Sequence, residues 1–444
     1  MTRIERVTAV IPCRNNPEQA RAAIDALARV DARGRSLDAV LVDDASDPAI
    51  SLESRPGAID VRVLRLDEQR GGSGAFNAGM RAAMASPHPP DALWLLDSDA
   101  MASPGSLHPL ASALDDDAIA IAAGSALRDP ACGHVYEAGG RIGRWSGVAT
   151  PCAPAGPRRV EYAAACSLLI RAAALRSAGL FPEIFISHDD IAWCLEAARR
   201  VGGHVLAVPE SVVDHPWQRV HVAGRYYASR NGWLALSHRD IFARAGRAAV
   251  ETLLAVGASI EFGREVGSLH VAGWRDAAAG AWNRRCPQPL PTAPPLLPID
   301  GSDDQPMTLP DRATWTVHPH LTPWSRRLGV GDASSATPPR SHARIALGDL
   351  LAFAKRLVAG PTEGCIVAPA AWPFAWARRR TVVHPSGHRL LMITPDVRGN
   401  VLPALAQAIR GWPHLARLIV RGCPRPDLPP LVSESSPPRP GAPR

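Results

Sequence analysis

Two carboxylates one residue apart, Asp97 and Asp99, follow the run Leu93-Trp94-Leu95-Leu96. Four apolar residues in a row read as a short strand buried on both faces, the kind that fills a parallel sheet. Open α/β sheets bind ligands just outside the carboxyl ends of their strands, where these acids fall. Mg2+ and Mn2+ take one or two protein carboxylates and complete their shell with phosphate oxygens. The pair therefore suits a nucleoside diphosphate held through a divalent cation. An isolated Asp-x-Asp is more often a turn or an N-cap, here ahead of a helix expected from Pro104 onward. What favours chemistry is the company it keeps.

Two further acid pairs stand at element ends. Asp43 and Asp44 close the run 40–42, and Asp189 and Asp190 open a helical pattern with Ile191, Cys194, Leu195 and Ala198 on its inner face. A carboxylate at a helix N-terminus can take a proton from an attacking hydroxyl. Repulsion from Asp189 would raise the pKa of Asp190 while the helix dipole lowers it, so the sequence leaves the net direction open. His215 follows a strand at 204–208, and a lone histidine there is more often structural than a ligand.

The elements that must position these residues alternate. Strands are expected at 7–12, 40–42, 61–66 and 93–96, with a helix at 17–30 and a helical stretch ending near Met84. The segment Gly71-Gly72-Ser73-Gly74-Ala75-Phe76-Asn77-Ala78-Gly79 reads as a loop between the third strand and that helix. Glycines let backbone approach a phosphate, and a helix N-terminus favours an anion. The register is not G-x-G-x-x-G, and no Walker lysine follows, which disfavours dinucleotide-binding and P-loop folds. Residues 133–147 read as a hairpin-like excursion with Tyr136 and Trp145. An apolar run at 163–170, a helix to about Gly179, and helical segments to about Trp282 complete the first part.

The chain of 444 residues is 46% hydrophobic and 20% charged, ordinary for a globular protein. Its charge of +7 comes from scattered Arg, Lys355 being the only lysine. Diffuse positive charge suits phosphorylated substrates or an anionic membrane and gives no specific support to nucleic acid. The eight cysteines lack metal-ligand spacing and read as reduced thiols of a cytosolic protein. The N-terminus shows no signal-peptide pattern, and no window reads as a membrane span. Residues 287–340 are Pro-rich and read as a linker. A helix at 343–358, strands at 381–383 and 390–394 and a helix at 401–409 suggest a small C-terminal α/β unit, and 424–444 reads as a disordered tail.

Taken together, Val10-Ile11-Pro12, Val42-Asp43-Asp44, the glycine segment with Asn77, Asp97-Ser98-Asp99, Gly179-Leu180-Phe181-Pro182-Glu183, and Asp189-Asp190 followed by His215 resemble family 2 inverting glycosyltransferases. The glycine segment is similar to that of the rhamnosyl- and galactofuranosyltransferase branch, which builds bacterial cell-surface polysaccharides. The resemblance implies a GT-A nucleotide-sugar-binding fold with a mostly parallel sheet over 1–240, followed by a helical extension at 241–286, the linker at 287–340 and the C-terminal unit at 341–423. It implies Asp190 as base, with Asp189, Trp145 and His188 at the acceptor. Pro12, Arg14, Asp44, Gly72, Gly74, Asn77 and Asp97 would face the donor, with Asp44 at the base of the nucleotide. Asp99 and His215, with Asp97, would hold Mn2+ or Mg2+; an oxygen and nitrogen set tolerates Mn2+ better than a strict Mg2+ site. Cys13-Arg14-Asn15 departs from the family's usual Thr-Tyr/Phe-Asn. The expected activity is sugar transfer from UDP-galactofuranose or dTDP-rhamnose to a glycan or lipid-linked acceptor, in the cytoplasm with peripheral membrane contact. A nucleotidyltransferase and a non-catalytic scaffold are the alternatives.

Overall fold

The computed structural model describes residues 3–52, 59–130, 133–152, 158–216, 222–288, 296–298, 316–317, 365–367, 381–386, 389–393 and 397–431. Strand and helix alternate first as β1 (Arg6–Cys13), α1 (Pro17–Leu27), β2 (Ser36–Asp43), β3 (Val61–Arg65), α2 (Gly71–Met84) and β4 (Ala92–Leu96). β1 pairs in parallel with both β2 and β4, and β2 with β3. Every residue of β4 is buried, as an apolar run between two helical layers requires. Its Trp94 indole donates to Ser167 Oγ at 3.0 Å, which satisfies the one polar atom that burial would otherwise strand.

The glycine segment corrects the expectation of a loop, since α2 begins at Gly71 itself. Its glycines serve close packing. A Cβ on Gly79 would stand 2.3 Å from Val10 Cγ1 and 2.8 Å from Val42 Cγ2, so this glycine lets α2 lie on β1 and β2. Gly71 has φ +70° and faces the Phe185 carbonyl, which excludes a side chain twice over.

The second half of the sheet is mixed. β5 (Met101–Ala102), α3 (Leu107–Asp116) and β6 (Ala120–Arg128) precede the short strands β7 (Val135–Glu137), β8 (Gly140–Ile142), β9 (Ala149–Pro151) and β10 (Arg158–Val160). Then come β11 (Ser167–Arg171), α4 (Ala172–Ala178), α5 (Asp189–Val201) and β12 (His204–Asp214). The order is β10-β12-β6-β11-β4-β1-β2-β3, with β11 antiparallel to both neighbours. β6 matches no expected strand. Its sequence AIAAGSALR has weak strand propensity, and it becomes a strand because the slot between β11 and β12 buries nearly all of it.

α6 (Val222–Asn231), α7 (Ile241–Phe262) and α8 (Arg264–Ala279) form the helical extension. Short strands β13 (Leu296–Pro298), β14 (Thr316–Val317), β15 (Cys365–Val367), β16 (Thr381–Ser386) and β17 (Arg389–Ile393) make a five-stranded sheet. The final helix, α9 (Val397–Arg421), is longer than the expected 401–409 and packs on α7, with Ala404 and Ala408 against Val256 and Ile260. α9 therefore joins the helical extension. The start of the expected tail is also packed. Trp282 Nε1 donates to the Pro424 carbonyl at 3.1 Å, and the Leu180 amide to the Pro429 carbonyl at 2.8 Å. The expected helix at 343–358 and residues 432–444 lie outside the described residues.

Candidate active site at the carboxyl ends of the central strands

Sheet register brings the sequence-distant residues together. β11 runs antiparallel to β4 with Ser167 opposite Leu96, so the residues just outside, Cys166 and Asp97, face each other. The Cys166 thiol donates to Asp97 Oδ2 at 3.2 Å. Beyond Asp99 the chain enters β5, whose Met101 and Ala102 pair with Asp214 and Val213 at the end of β12. The next residue, His215, is thereby delivered to the acids. Its Nε2 lies 3.4 Å from Asp99 Oδ1 and 3.8 Å from Asp97 Oδ2.

Neighbours fix the imidazole. The His215 amide donates to the Arg128 carbonyl at 2.9 Å, while the Arg128 guanidinium clamps Asp214 at 2.5 and 3.0 Å. Nδ1 stands 2.5 Å from the Tyr136 hydroxyl on β7. That contact leaves Nε2 directed at the carboxylates, the arrangement in which an outer partner orients a metal-ligating histidine. Ligand atoms of Asp97, Cys166 and His215 all lie within 4.8 Å of one another. Two carboxylates, one imidazole nitrogen and one thiol therefore fit a divalent cation.

Asp189 and Asp190 open α5 after an unusual approach. Phe185, Ser187 and His188 all have positive φ, at 75°, 72° and 66°. Such backbone costs about 1–3 kcal/mol per residue and persists only where the surroundings enforce it. Here α6 enforces it. Asn231 Nδ2 donates to the carbonyls of Ile186 (2.8 Å) and Ser187 (2.9 Å), and Arg230 donates to that of Ile184 at 2.7 Å. Asp190 Oδ2 accepts the Ala165 amide at 3.0 Å and Oδ1 its neighbour Ile191's amide at 2.7 Å. Burial raises the pKa of Asp190 above the ordinary carboxylate range in spite of those donors. Asp189 is more enclosed, and burial with repulsion from Asp190 pushes its pKa well up.

Three residues of this site have no warning in the sequence: Tyr136, Glu137 and Cys166. Glu137 on β7 has a buried Oε1 without a hydrogen-bond partner. Burial first, then repulsion from Asp190, pushes its pKa up to about 8. A periodicity argument cannot find such residues, because only the β6–β7 and β4–β11 pairings carry them to the acids.

The expected donor residues divide. Arg14 is exposed just past β1, Pro12 is half-buried within it, and a Cβ on Gly72 would meet Ile186 and Phe185 only at ordinary contact distance. Asp44 is buried and accepts the amides of Arg70 (2.6 Å) and Gly71 (2.9 Å), so it anchors the start of α2. Burial raises its pKa, against those amides and the charges of Arg14 and Arg285. Asn77, expected at the donor, lies inside the fold. It is fully buried, and its amide exchanges hydrogen bonds with both backbone groups of Phe181 at 2.9 and 3.0 Å. It ties α2 to the loop before α5. Gly74 is likewise packed, against the Arg70 side chain. At the acceptor side, Trp145 is exposed with Arg144 over its ring at 5.2 Å. His188 sits at the N-cap of α5, where burial and the Arg247 charge bring its pKa down to about 4.

Residues 8–176 match the sequence model of Glycosyl transferase family 2. Pre-mycofactocin glycosyltransferases of two Mycobacterium tuberculosis strains, CDC 1551 / Oshkosh and ATCC 25618 / H37Rv, are each 28% identical over 247 residues. The match takes in 53% of this chain and 48% of each relative, so the chain spans about half the length of the curated relatives it matches. Among solved structures, GalNAc-T7 with UDP, GalNAc and Mn2+ is similar at 18% identity and TM-score 0.40, over 49% of this chain and 44% of that one. S. aureus TarS is similar at 15% identity and TM-score 0.42, over 62% and 49%. The region matched by the family model contains β2, β3, β4 and nearly all of β1, with Asp97, Asp99 and Cys166, while Asp189, Asp190, β12 and His215 lie beyond it. Residues 8–176 of the N-terminal α/β unit are thus similar to Glycosyl transferase family 2.

Proposed function

We propose that the chain is a cation-dependent inverting glycosyltransferase that moves a sugar from a nucleoside diphosphate donor to a hydroxyl of a glycan or lipid-linked acceptor. One observation carries the reading: Asp97, Asp99 and His215 lie in a single cluster at the strand ends, and Asp190 is near enough for its charge to interact with that of Asp97. A divalent cation held by these three residues would neutralise the charge that develops on the leaving diphosphate. With a cation at Nε2, the His215 proton would sit on Nδ1 and be donated to the Tyr136 oxygen. Asp190 takes the proton of the acceptor hydroxyl as that oxygen attacks the anomeric carbon from the face opposite the departing diphosphate. Its two backbone donors aim the carboxylate, and its raised pKa makes it a stronger base than a solvated aspartate. Such a base is worth about 10²–10⁴ in rate, roughly 3–5 kcal/mol of barrier.

UDP-galactofuranose and dTDP-rhamnose are the first donors to test, and the name of the mycobacterial relatives adds pre-mycofactocin to the acceptors. Peripheral contact with an anionic membrane belongs to the same proposal. Leu402, Leu405, Ile409, Trp412 and Val420 are exposed on α9, and their spacing puts them on one face. Arg410, Arg417 and Arg421 are exposed along one edge of that stripe. The helix contains no acidic residue. An apolar stripe bordered by arginine fits an interface of acyl chains and anionic headgroups. No helix among the described residues is long and apolar enough to cross a membrane.

Incubation with a panel of nucleotide sugars and divalent cations, with detection of released nucleoside diphosphate, tests the activity. Cation-dependent release that Asp99→Ala abolishes is the expected result. Full turnover in excess chelator would refute the metal role. Pyrophosphate formation from a sugar phosphate and a nucleoside triphosphate would point to a nucleotidyltransferase, and inertness towards every donor to a scaffold.

A further inference from the structure

We infer that Cys166 is a ligand of the site's cation, which makes the site a sulfur, nitrogen and oxygen set selective for Zn2+ and Co2+ over Mg2+. The inference rests on the proposed role of Asp97 and His215 as cation-binding residues.

Geometry supports it first. Asp97 Oδ2 lies 3.2 Å from Cys166 Sγ and 3.8 Å from His215 Nε2. Around a tetrahedral ion with Zn–S near 2.3 Å and Zn–N and Zn–O near 2.0 Å, ligand atoms stand roughly 3.3–3.5 Å apart. These two separations bracket that value, and all three ligand atoms lie within 4.8 Å of one another, so side-chain shifts can close the set. With Cys166 in the place that Asp99 takes around Mg2+, the three protein ligands Asp97, Cys166 and His215 also leave a fourth position for a diphosphate oxygen, as in open zinc sites.

The placement of the thiol supports it second. The sulfurs of Cys13, Cys194 and Cys423 donate to backbone carbonyls, whereas that of Cys166 donates to a carboxylate of the cluster. The β4–β11 register that sets this pair also fixes both Cα positions, so little ordering remains to be done on binding. The chemistry balances without an electron donor or acceptor. The thiol proton leaves to solvent, the sulfur lone pair binds the ion, and Asp97 exchanges the S–H hydrogen bond for the same ion. Mg2+ prefers oxygen and would use Asp97 and Asp99 with the sulfur left out. Zn2+ and Co2+ would gain the thiolate.

The test is titration of the full-length protein with Co2+ in the absence of oxygen, read by absorption. Wild type should show a thiolate-to-cobalt charge-transfer band together with the visible ligand-field bands. Cys166→Ser should lose the first and keep the second. Its Zn2+ affinity should fall by at least the roughly tenfold that even an outer-shell contact is worth, with Mg2+ affinity unchanged. A wild-type control needs no folded variant: Zn2+, but not Mg2+, should shield Cys166 from iodoacetamide, read by peptide mass spectrometry. Co2+ binding with no Cys166-dependent band, or equal alkylation with and without Zn2+, overturns the inference and leaves the Asp97 and His215 reading intact. Failure of wild type to bind either ion overturns both.

Discussion

At the start of α5 two adjacent carboxylates differ in what they touch, and that difference assigns their work. Asp190 is half-buried and aimed by the amides of Ala165 and Ile191, whereas Asp189 is enclosed. Asp190→Asn keeps the size and removes the basic lone pair. It should lower kcat by about 10²–10⁴ with donor affinity kept, while Asp189→Asn should act mainly on acceptor KM. Steady-state constants for both variants decide it, and an Asp190→Asn enzyme with near wild-type kcat is not missing its base. Glu137 offers a second reading at this scale. Its pKa rises from an ordinary 4.5 to about 8 through burial and the nearby Asp190. Between those values the folded chain binds a proton that the unfolded chain lacks, so stability falls as pH rises through this window, by about 1.4 kcal/mol per unit. Glu137→Gln should flatten that slope. Denaturant unfolding from pH 4.5 to 8 in chelator measures it, and parallel slopes for the two proteins would remove the buried carboxylate from the account.

At the scale of elements, α2 shows how glycine serves packing. Gly79→Ala would drive a methyl into Val10 and Val42, so α2 must lift or the valines must turn. The expected cost is about 1–3 kcal/mol, the usual range for overpacking. Gly72→Ala meets no atom closer than 3.9 Å and should leave stability unchanged or slightly raised, since alanine favours a helix. Urea midpoints for the pair check both. If Gly79→Ala unfolds at the wild-type midpoint, close helix–sheet contact is not what that glycine supplies.

The whole molecule places its exposed apolar residues unevenly. Leu402, Leu405, Ile409, Trp412 and Val420 lie on α9, with Arg410, Arg417 and Arg421 along their edge. The proposed membrane contact predicts that the protein sediments with anionic vesicles at low salt and is released at high salt. Replacing the three arginines by glutamate should abolish sedimentation, and Trp412→Ala should weaken it. Equal sedimentation with neutral vesicles would exclude the electrostatic part, and none with any vesicle would favour a soluble acceptor.

The alternation of strands and helices through β4, the acids at the strand ends and the start of α5 were legible in the sequence, because each depends on local patterning. An apolar run stops where polar residues begin, and a 3.6-residue period announces a helix wherever it falls. The sequence could not reveal β6, whose alanine-rich residues carry no strand signal, nor that the glycine segment is helix, because the reason for both lies in neighbours far along the chain. The roles of Asn77, Tyr136, Glu137 and Cys166 were hidden for the same reason. Asn77 is explained by Phe181, Cys166 by the register of β11 on β4, and Tyr136 by its contact with His215. Which residues could do chemistry was legible one by one. Which of them meet was decided by the pairing of β5 with β12 and of β11 with β4, since long-range strand pairing depends on the summed burial of a whole sheet and leaves no mark on any single segment.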